Sequence, residues 1–298
     1  MNEPIRPPAL RNIHERERKP VSTYRFFESS IFVKSLRQGL LSLFLWMVLS
    51  GGLLILLLYC FHQIAGSDFS EILNDMLQAF PEGMRSQFGL GAFLDFSSFR
   101  NYFSVTMQIM LLIGCIFASY LGTTSIVRFA SDHSTAFIQA LPVSRASVVL
   151  SKLASQLCLL VFYNVFVFLI AAQASMGYVP DMGIFMGEIL QVFLSFLAVE
   201  AVYLGLGIFL SAFLTHISQA AAAAFMLFIA TMLFGVMGGA FQELHWLVPL
   251  SPYYYMAVYP LMESGSFVSG GLLAGCAAAL LVCAALACAW YSYRNLDI

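Results

Sequence analysis

Glu200 is the residue of this chain best placed for unusual chemistry. It is a carboxylic acid set deep inside an otherwise apolar run, "GEILQVFLSFLAVEAVYLGLGIFLS". In a helix it lies about 18 Å beyond Glu188, twelve residues at 1.5 Å each. A carboxylate at the centre of a bilayer costs roughly 2.5–3.5 kcal/mol on insertion scales, so it must face protein or water, or carry a proton. At helical spacing its face holds Phe193, Phe196, Tyr203, Gly207 and Ser211, and the two small residues predict close packing there. Two uses stay open: a polar point on a transport path or proton-sensitive switch, and a protonated or hydrogen-bonded packing residue.

Other chemistry is sparse. His14, His62, His133, His216 and His245 are scattered over tail and loops, with no H-E-x-x-H and no G-x-S-x-G around them, so interfacial or loop roles are expected. The six cysteines all fall within apolar runs without C-x-x-C or ligand spacing, and read as small buried apolar residues rather than a disulfide framework or metal site. No G-x-x-x-x-G-K-[ST] occurs. The glycines at 205–207, 235–239 and 270–271 have no lysine beside them to hold a phosphate, which excludes a P-loop. Gly235/Gly239 and Gly271/Gly275 form G-x-x-x-G pairs, a weak signal for close helix approach.

The elements that must position Glu200 follow from composition. The chain is 60% hydrophobic and 10% charged, against about 25% charged in a soluble domain, so lipid is its main solvent. A hydrocarbon core of about 30 Å needs about 20 helical residues. Six runs meet that length, at about 38–62, 103–126, 147–175, 185–213, 218–240 and 269–291. They are too long for strands and lack barrel alternation, and only helices or closed barrels satisfy the backbone in lipid. The expected fold is an all-α membrane protein of six transmembrane helices, with residues 38–298 as the transmembrane domain. Residues 1–22, with four prolines among mixed charges, read as a flexible tail. Residues 23–37 mix Phe26, Phe27, Ile31 and Phe32 with Arg25, Lys34 and Arg37, the pattern of an interfacial amphipathic helix; the competing reading makes them an extension of span one. A further surface helix is expected in "FSEILNDMLQAF" (69–80). The first apolar run is too long for a cleavable signal and is expected to remain as a span.

Charge sets the expected topology. Of 14 Lys and Arg, only Arg85 and Arg100 lie on the side that holds the acidic link between spans one and two. The rest precede span one, follow span six, or sit around the link between spans two and three. The positive-inside rule then places both termini in the cytoplasm, in a plasma or inner membrane.

That cytoplasmic link holds "STAFIQALPVSRASVVLSKL" (134–153): a half-apolar helix with Phe137, Ile138 and Leu141, a stop at Pro142, then Arg145 and the next span. Ser144 is suited to cap that span. By composition alone the segment could rest on lipid headgroups. Late in the chain, "LVPLSPYYYMAVYPL" (247–261) is an aromatic segment with Trp246 just before it and Tyr253, Tyr254 and Tyr255 inside it.

These stretches, with the terminal "YSYRNLDI" (291–298), resemble the permease subunits of type-2, exporter-like ABC transporters, in order and spacing along nearly the whole chain. One departure is "ASDHSTAF" (130–137), where that family often carries Glu-x-Gly; Asp132 is the candidate stand-in for the acid. The resemblance implies a subunit that does not hydrolyse ATP itself. It implies a separate ABC ATPase subunit carrying ATP and magnesium, no cofactor in this chain, and export of a substrate. It makes Phe137, Ile138, Leu141, Pro142 and Arg145 the coupling contact, a helix held in a partner's groove. It also implies a second permease subunit, as a homodimer or heterodimer. The small residues Gly114, Ala118 and Gly122 of span two and Ala220–Ala224 and Gly235 of span five are candidate contact faces, and Trp246 with Tyr253–Tyr255 a candidate outer lid. No nucleic-acid partner is expected.

Three other classes compete with this reading. A secondary transporter usually shows internal repeats and several intramembrane charges, where this chain has Glu200 alone so deep. An enzyme acting on lipid needs clustered acids or histidines at one interface, which are lacking. A non-transporting immunity or scaffold protein of similar build fits the sequence as well.

Overall fold

The computed structural model describes residues 28–64, 69–80, 85, 98–131, 145–258, 261–262 and 269–293. Its helices are α1 (Ser29–Ile64), α2 (Phe69–Gln78), α3 (Phe99–Ser131), α4 (Arg145–Ser175), α5 (Met182–Ser211), α6 (Ile217–Ala240) and α7 (Gly270–Tyr293). Two 3-10 segments, Gln242–Leu250 and Pro252–Tyr255, fill much of the stretch between α6 and α7. No strand occurs among the described residues. Six helices, all but α2, are long and apolar enough to cross a membrane. The chain is therefore an all-α, multi-pass membrane protein.

The helix ends follow local chemistry. Asp181 caps α5: its carboxylate accepts from Gly183 N at 3.0 Å and Ile184 N at 3.3 Å, satisfying two amides of the first turn. α3 extends about four residues beyond the expected run at its start and five at its end. Residues 29–37 continue without a break into the first span, because no proline or glycine interrupts the chain before Gly39. Two groups here are tied to α4: Glu28 N donates to Ser151 Oγ at 2.9 Å, and Ser35 Oγ accepts from Ser155 Oγ at 2.8 Å and Gln156 Nε2 at 3.2 Å. The tail 1–22 and residues 23–27 lie outside the described residues.

α3 and α5 form the centre of the bundle and share its most extensive contact. α6 packs on α3, α7 on α5, and α1 on α4. α1, α6 and α7 turn most of their surface outward; Leu41, Phe44, Tyr59, Met226 and Leu281 are each more than half exposed, as expected of side chains meeting acyl chains or another apolar surface. One end of the bundle gathers Phe61, Phe99, Tyr178 and Phe185, with Phe99 and Tyr178 stacked at 4.7 Å. An Arg100–Glu188 ion pair ties α3 to α5 at this end. The opposite end is the polar one, where Ser29, Arg145 and Ser211 lie.

Candidate functional site

Glu200 is buried at the centre of the α3–α4–α5 contact, 1% exposed. Its Oε2 accepts a hydrogen bond from Asn164 Nδ2 of α4, while Asn164 also donates to Leu160 O at 3.1 Å. Its Oε1 has no hydrogen-bond partner among the described residues, nor has the buried hydroxyl of Tyr163. Both groups lie against Gly114 of α3: a side chain at 114 would enter the space of the Glu200 carboxyl and sit 3.5 Å from the Tyr163 ring. The missing side chain is thus the notch into which the acid fits. No Lys, Arg or His pairs with Glu200 among the described residues. The cluster is a carboxyl with one occupied and one open oxygen beside a buried phenol, set between three spans.

About two turns further along, α3 and α5 meet backbone to backbone. A Cβ on Gly122 would sit 2.5 Å from Leu204 O and 2.8 Å from Gly207 Cα; one on Gly207 would sit 2.8 Å from Ser119 O. Ser211 Oγ then accepts from Ile126 N at 3.0 Å and Val127 N at 3.2 Å. The Gly207–Ser211 face of the Glu200 helix is indeed the closely packed one. Of the small residues assigned from sequence to contact faces, most are used inside the chain, while Ala221 and Ala222 stay exposed. Gly114, Ala118 and Gly122 are consumed within the chain, as are Ala220, Ala224 and Gly235 on the inner face of α6. A side chain on Gly271 or Gly275 would meet nothing within 4 Å, so that G-x-x-x-G pair makes no close contact among the described residues.

The polar end braces the helices that flank the 132–144 link. Lys152, buried to 2% exposure in α4, donates to Ser125 O of α3. Arg128 Nη1 donates to Gln38 O of α1 at 2.9 Å, and Nη2 reaches Tyr120 Oη at 3.5 Å. Arg145 opens α4. Phe137, Ile138, Leu141 and Pro142 lie outside the described residues, as do Asp132 and Ser144.

At the other end, the four aromatic lid candidates separate. Tyr253 is buried, with its hydroxyl donating to Gln108 O at 3.2 Å and its ring edge-on to Phe228 at 6.2 Å. Burial raises its phenol above the usual tyrosine range. Tyr254 is half-buried, Tyr255 donates to Pro249 O, and Trp246 is 65% exposed. The side chain of Gln108 completes the grip: Nε2 donates to Met256 O at 3.3 Å and Oε1 accepts from Val258 N at 3.0 Å. The 242–250 segment rests on α6 where Gly238 leaves room, a Cβ there being 2.7 Å from Val248 Cγ2. The aromatic segment is thus folded into the bundle at Tyr253 and open to its surroundings at Trp246.

Sequence reasoning missed Asn164, Gln108 and Lys152. Each is a polar residue inside an apolar run, the signal that marks Glu200, but an amide carries a weaker one and Lys152 lies close to the start of its run, where a charge is unremarkable. The six cysteines are free; Cys115 and Cys276 are buried and the other four half-buried. Among the described residues no three His, Cys, Asp or Glu gather as a metal site.

A six-span helical bundle with a polar cluster at its core and an aromatic segment folded against one end defines a polytopic membrane protein. The comparison with protein families gives the class more narrowly: a family model described as "ABC-2 family transporter protein" matches residues 30–297, and the chain belongs to that family. It is an ABC permease, a transmembrane component of a transport system. No curated relative matches the chain.

Proposed function

We propose that this chain is the permease subunit through which a separate ATPase subunit, carrying ATP and magnesium, drives export of a substrate across a cell membrane. The observation that carries this reading is the family match spanning all six helices. Both termini face the cytoplasm, as the charge distribution requires, and the 134–145 segment docks in the ATPase. Phe137, Ile138 and Leu141 fill its groove, Pro142 ends the helix and Arg145 anchors the exit.

The braces around that link support such a role. Lys152 ties the start of α4 to α3, Ser211 ties the end of α3 to α5, and Arg128 ties α3 to α1. A displacement of the link is therefore delivered to α3, α4 and α5 together, the three helices that meet at Glu200. Two permeases, alike or related, pair around a central path, and the apolar walls favour an apolar or amphipathic cargo. Trp246 and Tyr253–Tyr255 form the outer closure, and Glu200 is the polar point on the moving core.

The test is co-purification of the intact chain with the ATP-hydrolysing protein encoded beside it. Capture of a P-loop ATPase, lost in Phe137→Ala/Leu141→Ala while membrane insertion persists, is the expected result. Recovery of the chain alone, or undiminished capture by the double variant, rejects the coupling assignment.

A further inference from the structure

Two adjoining cavities at the polar end of the bundle share one residue, Gln38. The first, about 540 Å³, is lined by Ser29, Ser30, Val33, Lys34, Arg37 and Gln38 of α1. The second, about 520 Å³, runs along the outside of the bundle between α1, α3 and α6. Its mouth holds Gln38, Tyr120 and Arg128, and its walls are apolar, with Leu41, Leu45, Ile116 and Phe225 among them. Trp46 lies at its inner end, about 12 Å from Gln38 at eight helical residues. Lys34 and Arg37 border the first cavity and Arg128 the second, on either side of Gln38, and no acidic side chain among the described residues lines either. Arg128 is held in place by its bonds to Gln38 O and Tyr120 Oη, which use two of the five N–H donors of a guanidinium.

We propose that this groove is a binding site for an anionic phospholipid, its phosphate at Lys34, Arg37 and Arg128 and one acyl chain along Leu41, Leu45 and Trp46. Charge complementarity selects the occupant. A second copy of this chain or an apolar peptide would fill the walls but bring nothing for the three cations around Gln38. A zwitterionic lipid brings an ammonium that the same cations repel. Basic pockets between transmembrane helices are suited to anionic headgroups, and each nearby cation strengthens such binding roughly fivefold. Planar guanidinium groups favour phosphate oxygens in particular. Lipid binding here needs neither an ATPase nor a transport direction, so its test is separate from that of the proposed function.

The chain has three tryptophans, and Trp46 is the one in the groove. The full-length Trp246→Phe/Trp290→Phe variant is reconstituted into phosphatidylcholine vesicles with a minor fraction of phosphatidylglycerol. The bromine quencher is carried on the chains of one lipid or the other, at equal mole fraction. Brominated phosphatidylglycerol should quench Trp46 several-fold more strongly. Arg128→Gln should lower that preference roughly fivefold, Lys34→Gln/Arg37→Gln should lower it further, and Arg128→Lys should retain most of it. Equal quenching by the two lipids overturns the proposal, as does a preference that survives removal of all three charges. Absence of quenching by either lipid overturns it too, and shows the groove covered by another protein surface. The Arg128→Lys arm separates loss of charge from loss of fold.

Discussion

The side-chain amide of Gln108 holds the backbone of Val258, 150 residues away in sequence, accepting its N–H at 3.0 Å. The same side chain donates to Met256 O, and the Gln108 carbonyl takes the Tyr253 hydroxyl. One residue of α3 thus fixes the inner part of the aromatic segment. Gln108→Leu removes two bonds and leaves the Met256 carbonyl and Val258 amide buried without partners, at about 1–3 kcal/mol each. The expected outcome is a loosened segment in an otherwise intact bundle: faster hydrogen exchange at 253–258, with unchanged exchange in α5.

Tyr253→Phe keeps the ring against Phe228 and deletes the hydroxyl, costing about 1 kcal/mol. It should also change the alkaline limb of stability. Burial raises the folded-state pKa of Tyr253 above its unfolded value of about 10. The unfolded chain therefore loses this proton first. The contribution is fully present below about pH 10 and is lost as pH rises from there toward the folded value. Alkaline unfolding of the Tyr253→Phe variant should be less steep than that of the native chain; identical slopes would show that Tyr253 contributes nothing to them.

The glycines separate into two groups that a single substitution distinguishes. Gly122→Ala or Gly207→Ala forces the α3 and α5 backbones apart and should cost about 1–3 kcal/mol. Gly271→Ala or Gly275→Ala enters open space and should be neutral or stabilising by up to about 1 kcal/mol, the helix-propensity gain. Thermal unfolding in detergent reads both. Destabilisation at 271 or 275 only in the assembled transporter would locate a partner on that face of α7.

Glu200→Gln preserves an acceptor for Asn164 and nearly the same volume, so the bundle should assemble normally. With Glu200 acting on the moving core, substrate export by the reconstituted transporter should fall; full export would leave it a packing residue. Asn164→Leu acts differently. It strips the carboxyl of its hydrogen-bond donor and should lower stability by about 1–3 kcal/mol.

The sequence patterns that reported the fold were those with a single physical cause. Hydrocarbon thickness dictates span length, so five of the six runs map onto α3–α7 within about five residues, the first onto α1 with a start nine residues early, and "FSEILNDMLQAF" onto α2. Glu200 was conspicuous because a carboxyl in an apolar run is costly. Its partner Asn164 was not, since which polar residue meets it depends on the rotation of α4 against α5. The Gly122–Gly207 contact likewise joins two helices through one glycine each, and a search for G-x-x-x-G within single helices looks elsewhere. The break expected between residues 37 and 38 depended on where charge gives way to apolar composition; a helix backbone without glycine or proline has no reason to stop there. Phe137–Pro142 lie outside the described residues, so the coupling contact rests on resemblance and on the braces beside it.

The Gln108 clamp also bears on how the protein is made. Its two ends are synthesised 150 residues apart, so at 5–20 residues per second the polar amide waits about 8–30 s in or beside the membrane before Val258 exists. Throughout that interval the nascent chain holds an unsatisfied amide among apolar neighbours. A chain truncated before residue 253 never resolves it, and such fragments should be preferred substrates for membrane quality-control proteases.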